Sequence, residues 1–327
     1  MHRSVSKIMR KILWILIGLL PIFLGSCAFV ETSLIRTPKP LKETTISGTG
    51  KDKILLMDIS GIITERRRTS LTGLTERPSL ISRIKEELNK ASKDSRIKAL
   101  VLRINSPGGT VTASDIIYHE IKKFKQERQV NVVASLMDIG TSGAFYAALS
   151  ADKIIAHPTS ITGSIGVIVL KFNLESLLDR IGIEDESVKS GDKKDFMSPL
   201  RPQTPEEREI LQEIINKLHE QFLAVIAEER GEANMEDIVK LADGRIFTAD
   251  QALKLKLIDQ IGYLDEAINV AKAEAGITQA RVIVYRRPYE YKTDIYSKPA
   301  VKPEIFALFS DLLADTMTPK FMYLWVP

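Results

Sequence analysis

The sequence predicts an α/β protein with a largely parallel β-sheet covered by helices. Short apolar runs typical of buried strands alternate along the chain with stretches whose apolar residues recur at helical spacing. Glycine-rich turns separate the two kinds of stretch. With 44% hydrophobic and 27% charged residues, the 327-residue chain has the composition of a globular protein rather than a disordered one.

The elements follow in a regular order. The predicted strands lie at residues 54–59, 97–104, 130–136, 152–156, 165–170, 186–189 and 280–284. Two amphipathic helices are indicated by Leu80, Ile81, Ile84 and Leu88 after Pro78, and by Ile116, Ile117, Ile121 and Phe124. A short helix is expected at 142–150. A long one is expected at 204–230, because Thr204-Pro205-Glu206-Glu207 is a capping box with proline at the first helical position. Two shorter helical patterns follow it.

The start of the chain has the layout of a secretory signal. Its first 26 residues contain four basic residues and no acidic one, and a mostly apolar run follows at 12–24. Leu24-Gly25-Ser26-Cys27 resembles a bacterial lipobox, so we expect Cys27 to carry a lipid. The alternative is an N-terminal anchor over residues 12–30. Both interpretations place the protein in the bacterial cell envelope, anchored to a membrane, with its globular part outside the cytoplasm.

The rest of the chain excludes several classes of function. The basic leader accounts for the formal net charge of +4, and a neutral body with 6% aromatic residues argues against a nucleic-acid partner. A single cysteine excludes a disulfide framework and a structural zinc cluster. We expect no cofactor and no metal. The predicted organisation is a signal peptide at 1–26, a tether at 27–52, a globular domain at 53–285 with a helical part at 204–276, and a tail at 286–327.

Three glycine-rich turns are candidates for the functional site. Residues 105–109, Asn-Ser-Pro-Gly-Gly, join a strand to a helix and could aim backbone N–H groups at an oxyanion, or could form only a tight turn. In Gly-Thr-Ser-Gly at 140–143, Ser142 stands at a helix start. It is a candidate nucleophile, although an N-cap serine is the commoner use of such a position. The turn at 162–166 indicates little by itself.

A nucleophilic serine needs a base, and the histidines do not supply an obvious one. His119, His157 and His219 stand in contexts typical of surface or packing residues. A lysine can serve instead when burial lowers its pKa. Three lysines at and just after a predicted strand end are candidates: Lys189, Lys193 and Lys194. Composition alone does not choose among them.

Four motifs in register resemble the signal peptide peptidase A family. They are N-S-P-G-G, T-S-G-A-F-Y-A-A-L-S-A-D-K-I-I-A, T-G-S-I-G-V-I and S-G-D-K-K-D-F-M-S-P-L-R-P, and the similarity covers about residues 53–285. The resemblance implies a ClpP/crotonase-like fold of repeated β-β-α units, a Ser/Lys dyad and a homo-oligomeric ring. On the matching positions it implies these roles: nucleophile Ser142, general base Lys194, oxyanion-hole donors Gly109 and Gly143, and Ser164 orienting the base.

The resemblance implies a membrane-associated serine endopeptidase that hydrolyses apolar, extended peptides such as remnant signal peptides. One departure is Ala144-Phe145, where the family usually has Gly-Tyr, and this concerns substrate preference more than chemistry. Two alternatives stay open: a crotonase-type enzyme acting on acyl-coenzyme A, and a non-catalytic envelope lipoprotein that keeps the fold.

Overall fold

A computed structural model of the chain describes residues 40–66, 68–69, 76–231, 234–287, 294–296 and 320–326. The strands are β1 (Lys42–Ser47), β2 (Lys53–Ser60), β3 (Arg68–Thr69), β4 (Glu76–Arg77), β5 (Ile97–Ser106), β6 (Gly108–Thr110), β7 (Asn131–Thr141), β8 (Lys153–Ala156), β9 (Ile161–Gly163), β10 (Ile168–Val169), β11 (Ile246–Thr248), β12 (Gln260–Ile261), β13 (Arg281–Arg286) and β14 (Phe321–Leu324). The helices are α1 (Leu80–Ala91), α2 (Val111–Arg128), α3 (Gly143–Ala148), α4 (Glu175–Arg180), α5 (Pro205–Glu229), α6 (Met235–Leu241), α7 (Ala249–Lys254) and α8 (Leu264–Glu274).

The chain divides into two compact units. The described part of the smaller unit is the antiparallel pair of β3 and β4. All other described elements belong to the larger unit. The predicted signal peptide, the alternative anchor at 12–30 and Cys27 lie outside the described residues. Among the helices that the structure describes, none combines the length and the apolar character needed to cross a membrane.

The larger unit is built on a mostly parallel sheet with the strand order β1-β13-β2-β5-β7-β8-β12, while β9 pairs with both β7 and β11. Only the β1–β13 and β11–β9 pairs are antiparallel in this sheet. The central strands are buried on both faces, and alternate side chains enter two separate cores. In β2, Leu55 and Met57 join the core that includes α1 to α3, whereas Ile54 and Leu56 pack with α8.

Most of the predicted elements are confirmed, and two strands need correction. Residues 186–189 form no strand. The segment is charged and exposed, and Val188 is 100% exposed, so it lacks the buried face that a strand needs. The strand predicted at 165–170 shrinks to Ile168–Val169. The positive φ angles of Gly163 (84°) and Ser164 (51°) turn the chain before it.

The predicted tether at 27–52 is wrong for Lys42–Ser47, which forms the edge strand β1 against β13. Its side chains are mostly exposed, which explains why its sequence looks like a linker. The buried ammonium of Lys53 holds it in place through ion pairs to Glu43 (2.6 Å) and Asp94 (2.7 Å). The side-chain hydrogen bond from Arg96 and then the one from Lys53 keep the pKa of Asp94 below its usual range.

The predicted tail at 286–327 is likewise wrong for Phe321–Leu324, which forms β14. This strand is the middle member of a second sheet of order β10-β14-β6. Tyr323 is fully buried and belongs to the main core. The last described strand is therefore an integral part of the larger unit.

Candidate active site

The three glycine-rich turns meet at one edge of the sheet. In the parallel ladder, Ser106 of the first turn is paired with Gly140 of the second. The third turn joins on the other side, where β9 pairs Thr162 with Gly140 and Gly163 with Thr141. Because the carboxyl ends of parallel strands lie at the same edge, local sequence motifs far apart in the chain converge on one site. The third turn acquires its significance only from this pairing.

Ser142 occupies a strained turn between β7 and α3. Its backbone has φ 54° and ψ −120°, a conformation rare for a residue with a side chain. The backbone N–H donates to the carbonyl of Gly163 at 2.7 Å, which fixes this geometry. The side chain makes no capping hydrogen bond, so the N-cap interpretation is wrong. Ser142 is 1% exposed, and its Oγ has no hydrogen-bond partner among the described residues.

The two predicted oxyanion-hole glycines lie next to each other. Ile63 donates its N–H to Gly108 O (2.9 Å) and accepts from the N–H of Thr110 (2.9 Å). Because alternate residues of a strand direct their backbone groups to opposite edges, the N–H of Gly109 points away from Ile63. A Cβ on Gly109 would overlap the carbonyl of Ile63, so glycine is required there. A Cβ on Gly143 would lie 3.2 Å from the nitrogen of Gly109 and would overlap Ser114 Oγ.

Ser164 lies beside this group through its backbone. It follows Gly163, whose carbonyl accepts from Ser142, and its own N–H donates to Arg245 O at 2.8 Å. Ser164 is buried and, like Ser142, has a positive φ angle. The structure thus brings together four of the predicted site residues: Ser142, Gly109, Gly143 and Ser164.

The structure does not bring Lys194 to Ser142 within one chain. Lys194 is exposed and its side chain makes no hydrogen bond or ion pair among the described residues. Its neighbours differ: Lys189 pairs with Asp195 (2.6 Å) and Lys193 pairs with Glu206 (2.7 Å). The unpartnered Oγ of Ser142 also rules out a hydrogen bond to any histidine that the structure describes.

Sequence reasoning missed Arg201, which anchors the loop that carries Lys194. Its guanidinium pairs with Asp195 at 2.7 Å and with Glu207, in the first turn of α5, at 2.6 Å. The hydrogen bonds from Arg201 lower the pKa of Asp195 and, with the N–H of Thr204, lower that of Glu207 to about 2. An arginine in a charged loop is usually solvated, so its residue type gives no hint of this role. The only sequence feature that could have indicated it is the position of Arg201 in the fourth motif.

A cluster of aromatic side chains lies one helical turn beyond Ser142 and was also not predicted. Tyr146 donates its N–H to Ser142 O at 2.9 Å. Its ring packs edge-on against Tyr118 (5.4 Å between centroids) and Phe222 (5.1 Å), and its hydroxyl donates to Asp115 at 2.8 Å. Burial raises the pKa of Tyr146, so the phenol stays protonated. The cluster is an apolar wall with fixed geometry behind the candidate nucleophile.

Known proteins resemble the chain over this same region. A family model described as Clp protease matches residues 52–162, and one described as Peptidase family S49 matches residues 124–278. A protein of Enterococcus faecium assigned as a signal peptide peptidase SppA is 33% identical over 273 residues, which cover 83% of this chain and 74% of the relative. A Synechocystis protein assigned as a protease is 41% identical, with coverage of 59% and 69%.

Among solved structures, a ClpP1 variant of Listeria monocytogenes has 19% sequence identity and a TM-score of 0.42 over 65% of this chain and 94% of its own. The observed parallel sheet and the Clp protease family model that matches residues 52–162 confirm the predicted ClpP-like α/β fold. The similarity to the E. faecium relative extends over most of both chains, which confirms the family resemblance that the four sequence motifs indicated. The chain therefore belongs to the signal peptide peptidase A family, within peptidase family S49, and is a serine peptidase.

Proposed function

We propose that this peptidase hydrolyses apolar, extended peptides such as remnant signal peptides, with Ser142 as nucleophile and Lys194 as general base. One observation carries the proposal: the buried Oγ of Ser142 has no hydrogen-bond partner among the residues that the structure describes, and Ser142 lies in a strained turn beside Gly109 and Gly143. A structural serine would satisfy its hydroxyl with a hydrogen bond, since an unsatisfied buried polar group is costly. A nucleophile must instead keep its hydroxyl available for a base and a substrate.

In the proposed reaction, neutral Lys194 takes the proton of Ser142 as Oγ adds to the peptide carbonyl. The backbone N–H groups of Gly109 and Gly143 stabilise the resulting oxyanion. The lysine then protonates the leaving amine, and water releases the acyl group from the serine. Ser164 orients the lysine by accepting one of its hydrogen bonds.

We propose that a second copy of the chain supplies Lys194, in a homo-oligomeric ring. Lys194 is exposed on a loop that Arg201 anchors to α5, and Ser142 Oγ makes no hydrogen bond to a base in the described part of its chain. An anchored loop is suited to present a side chain across an interface, because less conformational entropy is lost when the interface forms. The lysine would be shielded from solvent only in the assembly.

We also propose that the enzyme is tethered to a membrane in the bacterial envelope through a lipid on Cys27, with its catalytic domain outside the cytoplasm. The basic leader and the lipobox-like Leu24-Gly25-Ser26-Cys27 support this. A tethered enzyme would meet apolar peptides released within the bilayer. Labelling with palmitate tests the proposal: loss of label in Cys27→Ala supports it, and a wild type without label that retains residues 1–26 supports the anchor instead.

A fluorophosphonate, which modifies activated serines, tests the catalytic proposal. We expect covalent labelling of the full chain that is lost in Ser142→Ala and kept in the control Ser190→Ala, whose serine is exposed on the lysine loop. Neither a non-catalytic lipoprotein nor an acyl-coenzyme A enzyme of the crotonase type predicts labelling of Ser142. Label on another serine, or equal labelling of wild type and Ser142→Ala, would contradict the assignment.

A further inference from the structure

Strand β7 has an irregular stretch close to its end, just before the turn that carries the proposed nucleophile. Up to that point it pairs residue for residue with β5, as far as Ile104 opposite Leu136. The next pair is Ser106 opposite Gly140, so two steps along β5 correspond to four steps along β7. The two extra residues are taken up in a β-bulge at 137–139. Bulges often redirect a strand next to an active site.

The bulge determines how far along the sheet Ser142 lies. A strand advances by about 3.3 Å per residue, so two residues correspond to about 7 Å. Without the bulge, the residue two places before Gly140 would be opposite Ser106, and Ser142 would lie about 7 Å farther along the strand direction. It would then lie beyond Gly109, whose nitrogen is 3.2 Å from the position of a Cβ on Gly143. The bulge therefore keeps the proposed nucleophile level with the predicted oxyanion-hole glycines.

Asn105 holds the bulge from the side of β5. It is the one residue between the last regular pair and the next one. Its backbone is fixed by pairing with Ser60 of β2 and by accepting the N–H of Gly61 at 3.1 Å. Its side-chain oxygen accepts the N–H of Ile139 at 3.1 Å. A bulged residue loses its ladder partner, so its N–H needs another acceptor, and the amide of Asn105 supplies one.

Two hydroxyl groups hold the bulge from the opposite side. Ser160 is buried, and its Oγ donates to Leu136 O at 2.9 Å and also lies against Met137 O. Thr162, which is fully buried on β9, donates from Oγ1 to Gly140 O at 2.7 Å. At this point β7 changes its ladder partner from β8 to β9. Because side chains bind its backbone groups on both sides, the bulge has a fixed geometry.

We propose that Asn105 and Ser160 are positioning residues of this peptidase: they hold the bulge at 137–139 and thereby place Ser142 Oγ where it reaches the substrate carbonyl. This inference rests on the proposed function, in which Ser142 is the nucleophile. Neither residue forms a hydrogen bond with Ser142 Oγ, so each acts through the backbone of β7. Displacing a reacting group by about 1 Å can cost about 10²-fold in rate. Loss of either side chain would displace Ser142 along the strand.

Substitution of Asn105 in the full chain tests the proposal. Asn105→Leu keeps the size of the side chain but removes the acceptor of the Ile139 N–H. We expect kcat on an apolar peptide to fall by about 10- to 100-fold, while KM changes by less than about 2-fold, because only the attack on the carbonyl is impaired. Asn105→Asp keeps an acceptor oxygen at the same place and should retain most of the activity.

Asn234→Ala is the matched control for the loss of one asparagine hydrogen bond. The side-chain oxygen of Asn234 accepts the N–H of Glu236 at 3.2 Å, at the start of α6. Its loss should lower Tm to a similar extent as Asn105→Leu, because both variants leave one backbone N–H without its acceptor. Asn234→Ala should leave kcat unchanged. Thermal melts and steady-state kinetics of the two variants provide the comparison.

Labelling of Ser142 by the fluorophosphonate distinguishes displacement of the serine from loss of fold. Well below Tm, the labelling rate in Asn105→Leu should fall by about 10- to 100-fold. The pH of half-maximal rate should stay that of wild type, because the base is unchanged. Ser160→Ala should behave in the same way, and it reports on the bulge alone, since Ser160 belongs to none of the three glycine-rich turns. If Asn105→Leu does not fold, Ser160→Ala provides the test.

A wild-type labelling rate in folded Asn105→Leu or in Ser160→Ala overturns this inference and leaves the proposed function standing. A fall in kcat that Asn234→Ala shares has the same consequence. A wild-type enzyme whose Ser142 resists the fluorophosphonate overturns both.

Discussion

At the scale of single residues, the site depends on positions where only one side chain suits the geometry. Ser142 tolerates a positive φ angle because Gly163 accepts its N–H, and Gly109 and Gly143 leave no room for a Cβ. The cost of such strain is of the order of 1–3 kcal/mol per residue. It is typical of a serine held for chemistry in a strand-to-helix turn.

The two adjacent lysines should differ sharply in their effects. Lys194→Met keeps the apolar stem but removes the amine, so peptide hydrolysis should fall by about 10²- to 10⁴-fold. Lys193→Met should cost little, since that lysine forms an exposed ion pair with Glu206. Rates on an apolar peptide, with thermal melts as the folding control, measure both. A dead Lys193→Met beside an active Lys194→Met would reverse the assignment.

Gly143→Ala tests whether the N–H of residue 143 belongs to the oxyanion hole, because the substitution changes the local geometry without changing any charge. The added methyl would overlap Ser114 Oγ and displace the N–H of residue 143, so the rate should fall by about 10²- to 10³-fold. Gly231→Ala is the matched control, because it lies outside the three turns and nothing lies within 4 Å of its added Cβ. Measured kcat values should separate the two variants. Equal activity in both would show that Gly143 is not part of the hole.

At the scale of elements, the sequence predicts those helices and strands whose formation depends on residues close together in the chain. The buried strands of the sheet and the amphipathic helices were predicted because apolar periodicity reports burial. The convergence of the three turns was not predicted from the sequence; it results from the pairing of β7 with β5 and β9, and the family resemblance assigned roles to the residues of the turns. The strand predicted at 186–189 is wrong because its one β-branched residue, Val188, has no partner strand and is fully exposed.

The missed elements depend on contacts between distant parts of the chain. Strand β1 is mostly exposed, and its pairing with β13 spans more than two hundred residues. Strand β14 has only four residues, and nothing in its sequence specifies that it pairs with β6 and β10. The role of Arg201 likewise appears only when Asp195 and Glu207 are brought to its two sides. Such choices of partner cannot be derived from periodicity.

The anchor of the lysine loop should depend on pH in a defined direction. Arg201 and Thr204 lower the pKa of Glu207 from 4.5 to about 2, so its contribution is complete above about pH 4.5 and is lost as pH falls toward 2. At pH 7, Glu207→Gln should lower Tm by about 2–6 °C. Thermal melts should show this gap closing between pH 4.5 and 2. The control Glu206→Gln, at an exposed neighbour, should show a much smaller gap; a pH-independent gap for Glu207→Gln would refute the linkage.

At the scale of the whole molecule, the proposed nucleophile Ser142 and the proposed base Lys194 make no hydrogen bond to each other among the described residues. Assembly through a ring would join the two and would explain why Lys194 is exposed in the single chain. It would also confine peptide hydrolysis to the assembled enzyme.

Mixing two inactive variants tests this assembly. If neighbouring copies share each site, then Ser142→Ala and Lys194→Met, each inactive alone, should regain activity when they are dissociated and reassembled together. An equal mixture should recover about a quarter of the wild-type sites by random pairing. Activity of the mixed and unmixed samples measures the recovery, with size-exclusion chromatography as the control for assembly. A mixture that assembles and stays inactive would place Lys194 in the same chain as Ser142.

If Lys194 activates Ser142, the rate at which Ser142 is modified must depend on pH through the lysine. The rate of fluorophosphonate labelling at Ser142, mapped by mass spectrometry, should be measured in wild type and in Lys194→Met. In wild type the rate should rise with pH as the lysine loses its proton and stay high above about pH 8. In Lys194→Met it should fall by about 10²-fold or more and lose that rise. Equal rates in the two proteins, or a rise centred near pH 6 that disappears when His119 or His157 is replaced, would contradict the account.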